Sequence, residues 1–346
     1  MNCKVSIVIP VFNGEKYIAD CVRSLNCQTL KQIEFIFVND GSSDRSADIL
    51  NAVSNKQANI KVIHQTNKGP AAARKTGIDK ANAEYIGFVD VDDKPDPTMF
   101  EKMYKMAAAK NADIVVCSIL EVQAGGIQTI LTFDFDDGTV FERPEIIQHI
   151  LRPVLKYGGG LYASMCNKIY KSSLIKYSIK AGSHRNYGED WFFNQLALGR
   201  AKKIAFLKEP LYQYLRINPN SIMLSYRRDL FNLHLDSRVF LKERMMEWGL
   251  NSNNNQYNAN TRFCKKVFEA IVNEMSTKNP VSITDKFTYI NNIVVHHEVQ
   301  FAARNAEKNF ISYCLIKRYS FLLSVYAWYL AVLKPVLHKA KVVVIK

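Results

Sequence analysis

Short apolar runs alternate with single helical segments through the first 117 residues, and this alternation constrains the fold more than any other feature. The runs at residues 5–10, 34–38, 60–64, 85–89 and 113–117 are rich in β-branched and aromatic side chains, as strands are. The first, "VSIVIP", has the composition of a strand covered on both faces. Strands that alternate with single helices predict βαβ units and a parallel sheet.

The polar segments that follow these strands are expected to meet at one edge of the sheet. In parallel α/β sheets, ligands bind beyond the carboxyl ends of the strands. That rule brings together the loops at residues 10–13, 39–43, 68–74 and 90–93. We therefore expect four polar loops to line one cleft.

Acidic residues follow the fourth predicted strand directly, in the sequence "YIGFVDVDD". Asp90, Asp92 and Asp93 repel one another unless a cation sits among them or the turn is well solvated. Asp90 and Asp92 are two residues apart, so on an extended backbone they project to the same side and can reach one ion. An acidic turn that merely ends the strand is the alternative.

The rim lacks two common nucleotide motifs. No G-x-G-x-x-G follows the first strand and no G-x-x-x-x-G-K-[ST] is present, which argues against an NAD enzyme and a P-loop ATPase. The rim offers an aromatic ring (Phe12), a carboxylate on a glycine turn (Asp40) and two cations (Lys68 and Arg74). Together with the acidic cluster, these suit a base, a diphosphate and a divalent cation.

The rest of the chain divides near Ser225. Before it we expect a hairpin around Asp137-Gly138, a strand at residues 204–215, and a helix that begins with Glu189 and Asp190 after Gly188. Beyond it the sequence reads as helices. The expected domains are therefore residues 1–224, with halves 1–118 and 119–224, and a helical region at 225–346.

Charge and cysteine content bound the partners and the compartment. The net charge of +14 indicates a polyanionic partner, and no motif for nucleic-acid recognition is present, so we expect no nucleic acid and assign the basic residues to phosphate and lipid. The seven scattered cysteines lack metal-ligand spacing, which predicts free thiols in a reducing cytosol. No signal peptide is expected.

The C-terminal segment at residues 309–346 forms a separate question. The uncharged segment at 319–333 is shorter than the roughly 20 residues that span a bilayer. It is rich in tyrosine and tryptophan and is flanked by lysine and arginine, as in helices that lie in the membrane interface. Residues 309–346 therefore predict peripheral contact with an anionic membrane. A buried terminal helix and a dimer contact, hence a homo-oligomer, remain the alternatives.

Four motifs in order give the chain a family resemblance over about residues 4–222. They are "VSIVIPVFNGEKYI", "FVNDGSSDRS", "NKGPAAARKTGIDKANAEYIGFVDVDD" and "YGEDWFF". With them the chain resembles the family 2 inverting glycosyltransferases, bacterial enzymes that often build capsule, lipopolysaccharide or exopolysaccharide. The resemblance implies the GT-A fold, an α/β class with a Rossmann-like, mainly parallel central sheet, here followed by an α-helical C-terminal region.

The resemblance also implies a donor site. Phe12 and Asp40 would hold the base, and Arg74 would contact the base or the diphosphate. The family often has tyrosine at the position of Phe12 and commonly has asparagine where Lys75 stands, so detail in that loop is not transferable. The residues expected to bind the donor, a nucleoside-diphosphate sugar with UDP as the expected nucleotide, are Pro10, Phe12, Asn13, Glu15, Asp40, Lys68, Arg74, Asp90 and Val91.

The resemblance assigns the acids separate roles. Asp90 would contact the ribose or support the metal, and Asp92 would bind Mn²⁺ or Mg²⁺ with Asp93 as a helper. Asp190 would be the catalytic base with Glu189 beside it, and a helix N-terminus favours the ionised form that a base needs. First-turn helix acids without a catalytic role are the alternative.

The implied activity is metal-dependent transfer of a hexose or N-acetylhexosamine to a hydroxyl of a glycan or lipid-linked acceptor, with inversion. The implied location is the cytoplasmic face of the membrane. A non-catalytic nucleotide-sugar-binding protein or membrane assembly protein of the same pathway is the competing hypothesis. Arg216 and Ser221 lie in a loop that could close over the diphosphate, and Lys168 either lines the acceptor site or is simply exposed.

Overall fold

The computed structural model of the chain describes residues 3–178, 188–216 and 225–334. They form two compact units. The first comprises the described residues of 1–150 and 161–218, and the second those of 151–160 and 219–346. The first unit contains the sheet, and the second is helical.

One mixed sheet runs through the first unit. Its central order is β3-β2-β1-β4-β9-β6-β10-β5, with β7 beside β6 and β8 beside β10. Within the described ranges, the strands are β1 (Val5–Val11), β2 (Ile33–Asp40), β3 (Ile60–Gln65), β4 (Tyr85–Phe88), β5 (Lys94–Pro95), β6 (Ile114–Gln123), β7 (Gln128–Leu131), β8 (Val140–Glu142), β9 (Lys168–Lys171) and β10 (Lys203–Arg216).

Helices occur in both units. Among the described residues they are α1 (Glu15–Asn26), α2 (Ser46–Ser54), α3 (Pro70–Lys80), α4 (Met99–Lys110), α5 (Arg143–Glu145), α6 (Ser172–Ser178), α7 (Glu189–Arg200), α8 (Leu230–Glu247), α9 (Asn253–Glu274), α10 (Ile283–Val295), α11 (His297–Arg304), α12 (Phe310–Ile316) and α13 (Ser320–Trp328), with π-helical turns at Ile146–Leu151 and Tyr329–Leu333 and a 3₁₀ turn at Arg152–Leu155.

The predicted βαβ pattern is confirmed for the first half of the sheet. β1 pairs in parallel with β2 and with β4, and β2 pairs in parallel with β3. Val5, Ile7, Val8 and Ile9 of β1 are fully buried, as the continuous apolar run predicts for a strand covered on both faces. Gly77 on α3 allows the helix to pack closely on β1, because a Cβ there would lie 2.3 Å from Cγ1 of Val8.

The sheet departs from simple βαβ order after β4. An antiparallel strand, β9, lies between β4 and β6, so the fifth predicted run does not pair directly with the fourth. β6 and β10 then pair in parallel. Most strands of the sheet therefore run in one direction, and β5, β7, β8 and β9 run antiparallel to their neighbours.

The predicted hairpin around Asp137-Gly138 is wrong. β7 pairs with β6 and β8 pairs with β10, so the two runs that flank this dipeptide do not pair with each other. The hairpin lies earlier, between β6 and β7, where Gly125 and Gly126 have φ of +88° and +81°. Those positive angles suit glycine, which adopts them without the steric cost that a Cβ would add.

The second unit is built from α8 to α13 around its own core. Val267, Ile271, Ile290 and Val294 are buried at its centre, and Val299 packs with them. Leu323 and Ala327 of α13 also belong to this core, whereas Phe321 and Leu322 of the same helix are exposed. Among the described residues, no helix combines the length and apolarity needed to cross a bilayer.

Candidate active site

The loops after β1 and β2 are joined by hydrogen bonds at the carboxyl edge of the sheet. The backbone N–H of Asn13 donates to Oγ of Ser42 at 2.9 Å, and Oδ1 of Asn13 accepts from the N–H of Ser43 at 2.9 Å. Asn13 has a φ of +49°, a conformation that asparagine tolerates better than most residues. Glu15 adds a further hydrogen bond between these two segments, since its Oε2 accepts from the N–H of Arg45 at 3.1 Å.

Asp40 ties the β2 edge to the start of α3. Its carboxylate is buried and accepts from the side chain of Gln65 at 2.7 Å and from the N–H groups of Lys68 and Gly69 at 3.0 and 2.8 Å. Three of its roughly four acceptor positions are therefore used within the protein. A contact with a nucleotide base through the remaining position stays a prediction.

Phe12 stands at the end of β1 with 53% of its surface exposed. A large aromatic ring so exposed, beside a network of ordered loops, is suited to stacking on a flat ligand. The Lys68 side chain is exposed. Pro10 and Val91, which lie in two other loops of the rim, are half-buried. Val91 also faces Gly14, where a Cβ would lie 3.4 Å from Cγ1 of Val91.

The three acids after β4 differ in their surroundings. Asp93 is buried, and it accepts from the hydroxyl of Tyr212 at 2.7 Å and from the N–H of Leu215 at 2.8 Å. Burial, and then the charge of Asp90, raises the pKa of the Asp93 carboxyl well above its ordinary value. Asp90 and Asp92 are only half-buried. Asp93 thus fixes β10 to the acidic turn, and the expected helper role at a metal remains untested.

Arg74 joins the acidic turn to the start of α7. The guanidinium, on a side chain only 6% exposed, donates through Nη2 to Asp90 at 2.9 Å. Its Nη1 donates to Glu189 at 2.7 Å and lies 3.4 Å from Asp190. This contact spans 116 residues of sequence and brings the expected metal-binding turn and the expected base into one cluster.

The carboxyl group of Asp190, which lies in this cluster, has a raised pKa. Burial raises the pKa of Asp190 to about 8, Arg74 opposes the shift, and the charges of Glu189 and Asp90 add to it. Burial thus outweighs the helix N-terminus that was expected to keep this carboxyl ionised. A general base works best when its pKa lies near the operating pH, so this value suits the expected role.

Lys168 is fully buried, so the expectation that it is simply exposed is wrong. Its ammonium donates to the backbone carbonyls of Tyr162 at 2.9 Å and Ser164 at 2.6 Å, and to Oδ1 of Asn167 at 2.8 Å. Arg216 lies at the end of β10, 43% exposed, with Nη1 at 3.4 Å from Glu121. Ser221 lies outside the described residues.

Two residues of the cluster were not found from the sequence. Tyr212 donates to Asp93 and accepts from the N–H of Asp90 at 3.2 Å, and Asn194 donates to the carbonyl of Asp190 at 2.9 Å. Tyr212 lies in the segment at residues 204–215, for which the sequence predicted a strand and no functional residue. The position of Asn194, four residues after Asp190 on one helix, was a signal that spacing could have supplied.

The described residues contain no group of three or more histidine, cysteine, aspartate or glutamate side chains arranged to hold a metal ion by themselves. Magnesium in enzymes that act on phosphates is commonly held by one or two carboxylates together with the substrate's phosphates. Asp90 and Asp92 supply hard oxygen donors of that kind, on the same turn.

An open, mainly parallel sheet with polar loops at its carboxyl edge defines an α/β protein. The GT-A fold that the four motifs imply has this architecture. The family model described as "Glycosyl transferase family 2" matches residues 6–178. The chain belongs to this family, which confirms the expectation from the four motifs, and it is therefore a glycosyltransferase.

Known proteins that resemble the chain agree with this assignment. The uncharacterized glycosyltransferase EpsJ of Bacillus subtilis (strain 168) is 33% identical over 239 residues, which cover 69% of this chain and 68% of EpsJ. The poly(ribitol-phosphate) beta-glucosyltransferase of Bacillus spizizenii is 32% identical over 61% of this chain and 32% of its own length. The crystal structure of S. aureus TarS 1-349 in complex with UDP-GlcNAc shares the fold, with a TM-score of 0.67, 19% identity, and coverage of 94% of this chain and 89% of TarS 1-349.

Proposed function

We propose that the protein is a metal-dependent, inverting glycosyltransferase. It moves a hexosyl or N-acetylhexosaminyl group from a UDP-sugar to a hydroxyl of a glycan or lipid-linked acceptor in the synthesis of a cell-surface polysaccharide. The observation that carries the proposal is the contact of Arg74 with both Asp90 and the Glu189–Asp190 pair, since it joins a donor-side acid to a base. The UDP-GlcNAc complex of TarS and the polymer-modifying activity named for the Bacillus spizizenii relative support the choice of substrates.

The donor site follows from the rim. Phe12 stacks on the base, and Asp40 holds the loop of Lys68 and Gly69 in place beside it. Asp92, with Asp90, is the site for a divalent cation, Mn²⁺ or Mg²⁺. A cation bound there supplies charge to neutralise the diphosphate that leaves.

The chemistry requires one proton acceptor on the other side of the sugar. The oxygen of the acceptor hydroxyl forms a bond to the anomeric carbon while the bond from that carbon to the diphosphate oxygen breaks. Because the two oxygens lie on opposite faces, the configuration inverts. The carboxylate of Asp190 takes the proton of the hydroxyl, and 30% of the Asp190 side chain is exposed for that approach. Arg74 holds Asp190, Glu189 and Asp90 in fixed relation.

The activity test compares Asp190→Asn with the wild-type chain, with UDP-glucose or UDP-N-acetylglucosamine and Mn²⁺. Removal of a general base should lower turnover by about 10²- to 10⁴-fold while the affinity for UDP stays unchanged. Asp20→Asn, an exposed acid on α1, is the matched control and should keep full activity. A folded Asp190→Asn variant with normal turnover would exclude Asp190 as the base. UDP binding without any turnover by the wild-type chain would instead favour a non-catalytic nucleotide-sugar-binding role.

We also propose that the protein associates peripherally with anionic lipid at the cytoplasmic face of the membrane. α12 and α13 bury Cys314, Leu315 and Leu323 but leave large apolar side chains exposed on the other face. Lys317 and Arg318 lie between the two helices and supply positive charge beside that face. The exposed apolar residues of this face are Phe310, Tyr313, Tyr319, Phe321, Leu322, Val325 and Trp328.

Vesicle sedimentation of the full chain tests this contact. The wild type should pellet with vesicles that contain phosphatidylglycerol, and less with pure phosphatidylcholine. Phe321→Glu, which alters a side chain 65% exposed, should release the protein. Ile127→Glu alters a side chain 62% exposed on the β6–β7 turn and should have no effect. If Phe321→Glu pellets like the wild type, the membrane proposal is wrong. A change in oligomeric state in that variant would instead mark a contact between copies of the chain.

A further inference from the structure

Lys168 has an unusual position for a lysine, because its side chain is fully buried on the central strand β9. A buried ammonium is costly unless every proton finds an acceptor. Its three N–H groups have three acceptors within hydrogen-bond distance, at the carbonyls of Tyr162 and Ser164 and at Oδ1 of Asn167. Burial lowers the pKa of Lys168 to about 8, with Asp190 among the charges that oppose the shift. The amine is therefore mainly charged at neutral pH.

A second side chain holds the carbonyl that lies between these two. Nδ2 of Asn194 donates to the carbonyl of Ala163 at 2.6 Å, while Oδ1 of Asn194 accepts from the hydroxyl of Tyr170 at 2.8 Å. All three successive carbonyls of the segment Tyr162–Ser164 are thus bonded by buried side chains. The segment has no regular secondary structure, so these bonds replace the ladder that would otherwise fix it.

The same amide connects this segment to the candidate base. Nδ2 of Asn194 also donates to the backbone carbonyl of Asp190, one helical turn earlier on α7. The segment and the first turn of α7 therefore share one hydrogen-bond donor. A shift of one with respect to the other must break a buried hydrogen bond, and a buried polar group without a partner is unfavourable.

The ring of Tyr162 lies at the exposed side of this arrangement. It is 45% exposed, although its backbone carbonyl is held by Lys168. Burial raises the pKa of its hydroxyl, the charges of Glu121, Asp93 and Asp190 add to the shift, and Arg216 opposes it. The phenol thus lies within the electrostatic field of the acids of the site. Tyr162 precedes Ala163, whose carbonyl shares the Asn194 amide with the carbonyl of Asp190. An aromatic ring with a polar tip at this place suits contact with a sugar ring and one of its hydroxyls.

We propose that Lys168 and Asn194 are positioning residues, which hold the segment Tyr162–Ser164 against the first turn of α7. In this arrangement Tyr162 forms the acceptor-side wall of the site and contacts the sugar that receives the glycosyl group. The proposal rests on the proposed transferase function. It differs from a general stabilising role because loss of Lys168 should weaken binding of the acceptor and leave binding of the donor unchanged.

The test separates donor binding, donor cleavage and acceptor use in the full chain. The variants are Lys168→Met, Tyr170→Phe and Tyr162→Ala. Tyr170→Phe removes the hydroxyl that orients Asn194 but keeps the ring that packs on Phe88 and Phe193. It is the milder perturbation if Lys168→Met fails to fold. The control is Lys171→Met, a half-exposed lysine at the other end of β9.

Three measurements are made on each variant. The affinity for UDP with Mn²⁺ should stay within about 2-fold of the wild type, and so should the hydrolysis of UDP-glucose or UDP-N-acetylglucosamine by water. The KM for the acceptor, measured with octyl glucoside and octyl N-acetylglucosaminide, should rise about 10- to 100-fold, because small misplacement of a positioning group costs up to about 10²-fold. Amide hydrogen exchange at residues 162–167 should become faster in Lys168→Met and Tyr170→Phe but not in Tyr162→Ala or Lys171→Met.

A double-mutant cycle shows whether Lys168 acts through Tyr162. If it does, Lys168→Met should add little to the acceptor KM once Tyr162 is alanine. Equal losses of UDP affinity and acceptor affinity, or unchanged acceptor KM with unchanged hydrogen exchange, would overturn the proposal. Absence of all turnover in the wild type would overturn the proposed function and the acceptor role with it. Hydrogen exchange would then still decide whether Lys168 and Asn194 hold the segment.

Discussion

Replacing Arg74 with methionine should destabilise the sheet unit and raise the pKa of Asp190 in the same protein. Arg74 is the shared cation of Asp90, Glu189 and Asp190, at 2.9, 2.7 and 3.4 Å. Methionine keeps most of the buried aliphatic volume but leaves three carboxylates without their counter-charge. The perturbation is therefore mainly electrostatic.

The magnitude follows from how well each partner is solvated. Loss of one partner from a buried ion pair costs about 3–5 kcal/mol. The Arg74 side chain is 6% exposed, but Asp90 and Asp190 expose 36% and 30% of theirs, so water can compensate in part. We expect the low end, about 3 kcal/mol. For a unit of roughly 200 residues, that lowers the Tm by about 6–12 °C.

The loss should depend on pH in a defined direction. Without Arg74, the folded-state pKa of Asp190 should rise further above about 8, since Arg74 is the group that lowers it. A carboxyl whose pKa is raised by folding weakens the folded state as pH rises and ceases to do so once both states are protonated. The stability gap between Arg74→Met and the wild type should therefore narrow from pH 8 to pH 5.

Urea unfolding followed by tryptophan fluorescence at pH 5, 6.5 and 8 measures this gap, and thermal scans supply the Tm. Arg23→Met is the matched control, because the Arg23–Asp20 pair is 75% and 55% exposed and should contribute under about 0.5 kcal/mol. A loss below about 1 kcal/mol for Arg74→Met at pH 8, or a gap that widens as pH falls, would refute the reasoning.

Three further predictions concern other parts of the chain. Phe12→Ala should weaken UDP binding about 10-fold, as expected from a lost stacking contact of about 1–3 kcal/mol, whereas Phe12→Tyr should not. Isothermal titration with UDP and Mn²⁺ measures both affinities. Equal affinities of the two variants would remove Phe12 from the base site. Gly77→Ala should lower the free energy of unfolding by about 1–3 kcal/mol, since its Cβ would overlap Val8, whereas Ala72→Ser on the same helix should change it little in urea titrations. In the helical unit, burial alone would raise the pKa of Glu298, but hydrogen bonds from Arg238 and Lys242 hold it at about 2. Because folding lowers this pKa, Glu298→Gln should lower the free energy of unfolding by about 1.5 kcal/mol at pH 7, after allowance for solvent screening. This loss should vanish as the pH falls from about 5 through 2. A loss that stays constant over that range would contradict the assignment.

The sequence predicted the elements whose pattern is local. β1, β2 and β4 are continuous apolar runs, and their burial on both faces leaves little choice of structure. The polar loops at their carboxyl ends followed from the parallel sheet, and the hydrogen bonds between Asn13 and the pair Ser42 and Ser43 join those loops.

The parts that could not be predicted depend on contacts distant in sequence. β9 is a four-residue run, "KIYK", with a lysine at each end, and nothing local marks it as a buried central strand. Lys168 is buried there only because carbonyls six and four residues earlier meet its ammonium. The ion pairs of Arg74 with Glu189 and Asp190 span more than a hundred residues, so no spacing rule could supply them.

The position of β9 also limits how this enzyme can be recombined with its relatives. β9 pairs with β4 on one side and β6 on the other, so residues 168–171 fill the gap between two strands that both precede them in the chain. A fragment ending near residue 118 would leave the inner edges of β4 and β6 unpaired, and such bare edges promote aggregation. Chimeras that exchange acceptor specificity should therefore keep β9 with the first four strands, and exchange surface loops such as Tyr162–Ser164 between fixed strand ends.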